Sequence, residues 1–190
     1  MVKQNSKRFQ DAVEAAVAII HACGRSPAEP ALRDTPLRFA EFLVNEFPGE
    51  MDDRDFLQGQ SEESYDEMVV EKNIPFMSFC EHHLLPFYGV AHVSYIPNGV
   101  KLSGLSKLAR LVYRFAGTLT IQERITKQVA DYLEKNLSPL GVMVILEATH
   151  LCTSYRGARA LGASYVTSAI RGVFSTNPAA KAEMQQLLRS

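Results

Sequence analysis

Apolar positions recur every three to four residues from residue 7 to residue 23. Phe9, Val13, Ala16, Ile19 and Ile20 share one face, and that period predicts an amphipathic helix. Gly24 offers a C-cap, and Pro27 and Pro30 break the chain behind it. A second helix is expected from Thr35-Pro36, a capping residue followed by proline in the first helical position. It runs through Phe39, Phe42 and Leu43 and stops at Pro48-Gly49. The pattern then becomes that of strands. Residues 68–74 and 76–79 are extended segments, Tyr88 to Ile96 is another, and Pro97-Asn98-Gly99 is a turn. From Gly104 to Leu137 the helical period returns. Leu105, Leu108, Leu111 and Phe115 form a stripe opposite Lys107, Arg110 and Arg114, and a second helix spans about Gln122 to Leu137. The unbroken apolar run from Val142 to Ala148 has the length of a buried strand, a further strand lies near Tyr165 to Phe174, and a terminal helix begins at about Asn177.

A chain of 190 residues with 46% hydrophobic and 22% charged residues can bury one real core. We divide it into an N-terminal helical region with an acidic loop, residues 1–66, and a larger second domain, residues 67–190. No apolar run approaches the ~20 residues that span a bilayer, and the polar start at Met1 is not a signal peptide. Three cysteines at irregular spacing make no disulfide framework, so a reducing cytoplasm is expected. A net charge of −1 argues against a nucleic-acid binder. The charge is uneven, however. Residues 50–71 are acidic and read as a solvated loop, whereas residues 101–127 are basic against Glu123 alone and can hold an anion.

The chemistry concentrates at Cys80-Glu81-His82-His83 and at His150-Leu151-Cys152. Cys80 and His83 have the C-x-x-H spacing with which a tight turn aims two ligands at one ion, and Cys152 supplies a third. Two thiolates and an imidazole suit Zn²⁺, and three protein ligands leave a position for water, the arrangement of a catalytic rather than a structural site. The bland alternative is that these cysteines are small buried hydrophobes. Against it, His82 and His150 each lie within two residues of a ligand, as acid–base groups beside an activated water would. If the chain stays extended there, His150 and Cys152 point to the same face. His21 and Cys23 on the first helix and His92 in a strand are expected to be packing or surface residues. The glycines of Gly99-Val-Lys-Leu-Ser-Gly104 imitate a phosphate loop, but Leu105 stands where the lysine must be, so that reading is discarded.

Lys107, Arg110 and Arg156 suit a polyphosphate, the arginines as bidentate forks. The two oxygens of Glu123 match the paired N1–H and N2–H donors of guanine, although a helical pair with Lys127 would occupy the same carboxylate.

Four blocks resemble the GTP cyclohydrolase I family in order and spacing. They are Ser78-Phe-Cys-Glu-His-His-Leu-Leu-Pro-Phe-Tyr-Gly, Gly104-Leu-Ser-Lys-Leu-Ala-Arg, Ile121-Gln-Glu-Arg-Ile-Thr-Lys-Gln and Glu147-Ala-Thr-His-Leu-Cys-Thr-Ser-Tyr-Arg-Gly. The resemblance implies an α+β tunnelling fold, a four-stranded antiparallel sheet with two helices between its strand pairs, preceded by N-terminal helices. It implies a homodecamer of two stacked pentamers with active sites between subunits. It makes Cys80, His83 and Cys152 the zinc ligands, and His82, His150 and Ser106 the proton-transfer residues. Gln122 and Glu123 would hold guanine, and Lys107, Arg110 and Arg156, with Ser106, the triphosphate and ribose. The implied reaction opens GTP at C8, releases formate and yields 7,8-dihydroneopterin triphosphate, the first step of folate, biopterin or deazaguanine synthesis. His150 is expected to protonate N7, and His82 and Ser106 to serve the later rearrangement of the ribose.

The small, apolar stretch at residues 158–164 departs from the more polar family pattern, and the short N-terminal region argues against feedback regulation of the animal type. Within the fold, a nitrile reductase should lack the Cys80/His83/Cys152 set, and a metal-flexible cyclohydrolase should lack Cys-Glu-His-His. A non-catalytic GTP-binding ring would release no formate.

Overall fold

The computed structural model describes residues 6–48, 65–99 and 102–189. Two compact units, Met1–Glu50 and Met51–Ser190, divide the chain. Most of the acidic loop, and part of the rejected phosphate-loop imitation, lie outside the described residues.

In the first unit, α1 spans Lys7–Ala22 and α2 spans Thr35–Glu46. The Ser6 hydroxyl accepts from the Phe9 amide at 3.2 Å, satisfying one of the free donors at the start of α1. Thr35 is already helical; Asp34 is the cap of α2, and Pro36 sits in the first turn, where its missing N–H costs nothing. Phe9 and Ala12 pack on Ala40 and Val44.

The second unit is built on one sheet. Its strands are β1 (Val69–Cys80), β2 (Pro86–Ile96), β3 (Leu119–Thr120), β4 (Gly141–His150) and β5 (Tyr165–Gly172), in the order β3-β1-β2-β4-β5. Four of them form the expected antiparallel sheet, while β3 adds a two-residue parallel bridge to β1. Between β2 and β4 come α3 (Leu105–Ala116) and α4 (Gln122–Leu137). Short helices α5 (Leu151–Ser154) and α6 (Val173–Thr176) follow β4 and β5, and α7 (Pro178–Arg189) ends the chain. Leu108, Leu111, Val112, Ile125, Val129 and Leu133 of α3 and α4 pack on one face of the sheet against Phe76, Val93, Val144 and Leu146. Phe174, Ala180 and Met184 form a second cluster with Met143.

Two local features differ from the sequence reading. The two expected extended segments before Cys80 are one strand, interrupted by a bulge between Glu71 and Ile74. Asn73 takes φ 59° there, a left-handed conformation that asparagine tolerates, and its amide donates to His92 Nδ1 at 3.3 Å. Second, β4 extends to His150 and the chain turns helical at Leu151, so His150 and Cys152 are not neighbours on one strand. The Thr153 and Ser154 hydroxyls both donate to the His150 carbonyl, at 3.0 Å each, and thereby hold that change of direction.

Candidate active site

A tight turn carries the first two candidate ligands. The Cys80 carbonyl accepts from the amides of both His83 (3.2 Å) and Leu84 (2.9 Å), and Leu84 closes the turn at φ 53°. His83 is thereby folded back on Cys80, with Nδ1 at 3.5 Å from Sγ. Cys152, in the first turn of α5, completes a group whose ligand atoms all lie within 4.8 Å of one another. Sulfur and nitrogen bound tetrahedrally to one zinc would be about 3.6 Å apart, from Zn–S and Zn–N lengths of about 2.3 and 2.1 Å. The Cys80–His83 spacing fits a single metal ion without rearrangement. Burial, and then the neighbouring Cys80 thiol, push the Cys152 thiol above its ordinary range. Two crowded thiols resist becoming two thiolates, and a bound cation is what reverses that preference.

The other polar groups surround this turn. Cys80, His82, His83, Gln122, Glu123, His150 and Cys152 all line one cleft of about 390 Å³. His82 stands with Nδ1 3.8 Å from Cys80 Sγ, exposed and outside the group of three. The His150 ring stacks on Phe87 (centroids 4.5 Å apart, planes 4° apart) and meets Tyr165 edge-on at 5.2 Å. Burial lowers its pKa, against an upward pull from Glu123.

Glu123 is exposed in the first turn of α4 and lines the cleft. The alternative pairing with Lys127 is not made, because the Lys127 ammonium binds Asp131, which Arg171 also grips at 2.6 Å. Gln122 has partners other than the expected base. It is 1% exposed, its amide nitrogen donates to the Leu146 and Tyr165 carbonyls (3.0 and 2.9 Å) and to the Thr167 hydroxyl (3.1 Å), and its oxygen meets His150 Nε2 at 2.8 Å.

The anion-binding candidates are elsewhere. Ser106, Lys107 and Arg110 occupy the first turns of α3 and are not among the residues lining the cleft. Arg114 lies over the Phe115 and Tyr132 rings, 5.5 Å from each centroid, and so leaves the basic face that the sequence pattern assigned to it. Arg156, exposed just beyond α5, is close enough for its charge to favour the Cys152 thiolate.

Sequence reasoning missed the tie between the metal turn and α4. Arg124 forks onto Glu81, with one N–H···O contact at 3.0 Å, and holds that carboxyl below its ordinary pKa. The Glu81 amide also donates to the Thr120 carbonyl at 3.1 Å. Such pairs join residues some forty positions apart, and only the presence of opposite charges could have suggested them.

Residues 12–189 match the family described as GTP cyclohydrolase I. "GTP cyclohydrolase 1" of Pelotomaculum thermopropionicum is 46% identical, over 95% of this chain and 97% of that protein. The protein of the same name in Halalkalibacterium halodurans is 46% identical over the whole of both chains. That of Bacillus subtilis is 44% identical over all of this chain and 98% of its own. The four sequence blocks, the sheet that gathers them and relatives aligned end to end lead to one assignment: the chain belongs to the GTP cyclohydrolase I family.

Proposed function

We propose that this chain hydrolyses and rearranges GTP to 7,8-dihydroneopterin triphosphate and formate, the entry step of folate and pterin biosynthesis. One observation carries the proposal: the three-donor group Cys80/His83/Cys152 opens on the same cleft as His82, His150 and the unpaired Glu123. Those donors would hold a zinc ion, whose chemistry is to make hydroxide available at neutral pH by lowering the pKa of bound water to about 7. Soft thiolates beside an imidazole favour zinc over magnesium or calcium, and three ligands rather than four leave room for that water.

Each side chain then has a task. Glu123 accepts from guanine N1–H and N2–H and sets the base at a fixed height over the metal turn. His150, clamped between Phe87 and Tyr165, moves a proton at the imidazole half of the purine as C8 is lost as formate. His82, exposed at the cleft, and Ser106 serve the proton transfers of the ribose rearrangement. Lys107, Arg110 and Arg156 bind the triphosphate, and that remote grip holds the base in register. Ser106, Lys107 and Arg110 do not line this cleft, which supports a site completed by a neighbouring chain, as in two stacked pentameric rings. Cytoplasmic localisation fits the free cysteines; among the described residues no helix is long and apolar enough to cross a membrane.

Formate release from GTP by zinc-reconstituted protein tests the proposal, with Cys152→Ala as control. Formate from the wild type and none from the control is expected. Tight GTP binding with no formate from either would instead make the protein a non-catalytic nucleotide-binding ring.

A further inference from the structure

Gln122 is buried, lines the cleft and spends its whole side chain on the protein. We propose that Gln122 is a positioning residue: its amide oxygen fixes the hydrogen of His150 on Nε2, and with it the rotation and tautomer in which the ring faces the cleft.

The hydrogen-bond pattern around Gln122 allows one orientation of its amide. Two of the groups facing the nitrogen, Leu146 O and Tyr165 O, are carbonyls and can only accept. The third is settled by its own neighbours. The Thr126 hydroxyl gives its hydrogen to the Gln122 backbone carbonyl at 2.8 Å, so in the 2.6 Å contact between Thr126 and Thr167 the Thr167 hydroxyl is the donor. Thr167 therefore has only a lone pair left for Gln122, at 3.1 Å. Turning the amide over would set its oxygen against three acceptors at a buried position, where such a mismatch is most costly. The oxygen accordingly faces His150 Nε2, and an atom that only accepts demands a hydrogen on that nitrogen.

Packing and hydrogen bonding divide the control of the ring. Phe87 and Tyr165 fix its plane. Gln122 fixes its rotation and its tautomer. With Nε2 committed to Gln122, Nδ1 is the ring nitrogen that this pair leaves to other partners.

The kinetic part of this inference rests on the cyclohydrolase reading, whereas the hydrogen position does not. The first measurement is solid-state ¹⁵N NMR of zinc-loaded protein labelled at histidine, with the His150 signals assigned by their loss in His150→Asn. A hydrogen on Nε2 is expected; a bare Nε2 overturns the proposal, whether or not the protein turns over GTP. The second is Gln122→Met, which keeps the bulk and removes the acceptor. We expect kcat to fall about 10–100-fold, the range for partners that orient a functional imidazole, with KM for GTP and zinc content unchanged. A raised KM with kcat intact would make Gln122 a substrate contact and overturn the positioning role. If Gln122→Met does not fold, the wild-type spectrum still decides.

Discussion

Replacing Glu123 by glutamine tests guanine recognition with the least disturbance of the fold. Glu123 is exposed in the cleft, its one helical alternative is absent because Lys127 is committed to Asp131, and no other cation pairs with it among the described residues. The carboxylate is therefore available to two N–H donors of the base. Glutamine offers one oxygen and turns an NH₂ toward the second donor. One charge-assisted hydrogen bond, about 1.5–3 kcal/mol, is lost, and one substrate donor is buried unsatisfied at about 1–3 kcal/mol. The sum, about 2.5–6 kcal/mol, corresponds to roughly 10²- to 10⁴-fold in kcat/KM. Stability should barely move, because an exposed acid in a first turn contributes only about 0.3–1 kcal/mol through the helix dipole. The assay is formate release from GTP and from inosine triphosphate, which lacks the 2-amino group. The wild type should strongly prefer GTP, and Glu123→Gln should compress the preference to within about tenfold. If Glu123→Gln kept kcat/KM for GTP within about threefold, or lost both substrates equally, Glu123 would not be reading the guanine edge.

Three further outcomes are expected. Cys152→Ser should release bound zinc to a chromogenic chelator and abolish formate production, since two donors cannot hold the ion against competition; a stoichiometric, chelator-resistant metal in that variant would refute the three-ligand site. Gly89→Ala should destabilise by about 1–3 kcal/mol or more in urea titration, because the new Cβ would lie 1.9 Å from the Glu147 carbonyl oxygen and 2.7 Å from Ala148 Cα, both backbone atoms that cannot step aside; an unchanged midpoint would mean that β2 and β4 are not so closely apposed. Glu71→Gln should be more stable than wild type by a margin that grows with pH. Burial raises the Glu71 carboxyl against a smaller opposing pull from the Ala109 amide, so its contribution is intact below the unfolded pKa of about 4.3 and is lost as pH rises through the folded value. Urea midpoints at mildly acidic and mildly alkaline pH check this, and a margin independent of pH would rule it out.

What the sequence disclosed depended on whether the determining interactions were local. The long helices were legible because their period lies within each segment, and Cys80 with His83 because a tight turn needs only neighbouring residues; the four-residue α5 and α6 are too short to show a period. The end of β4 was not, because Thr149 and His150 leave the apolar run while still pairing with β2, His150 opposite Phe87. The β3 bridge escaped because two residues carry no period. Lys127 has an acid one turn before it and one turn after it. It chooses Asp131, which Arg171 of a distant strand also binds, so the choice is tertiary. The protein partners of Gln122 were illegible for a related reason: two of them are backbone carbonyls of β4 and β5, and a carbonyl has no sequence signature.

The direction of the strands explains how clusters at residues 80–83, 122–123 and 150–152 come to share one cleft. β1 and β4 both run antiparallel to β2, which lies between them, so they run parallel to each other and their C-terminal ends, Cys80 and His150, arrive at the same end of the sheet. β5, antiparallel to β4, begins there with Tyr165. The start of α4 is brought to that end by the β3 bridge, in which Thr120 pairs with Cys80, and by the Arg124 fork on Glu81. Antiparallel order alone would deliver two thiols and three imidazoles. It takes the two-residue bridge to bring Gln122 against His150 and Glu123 into the same cleft.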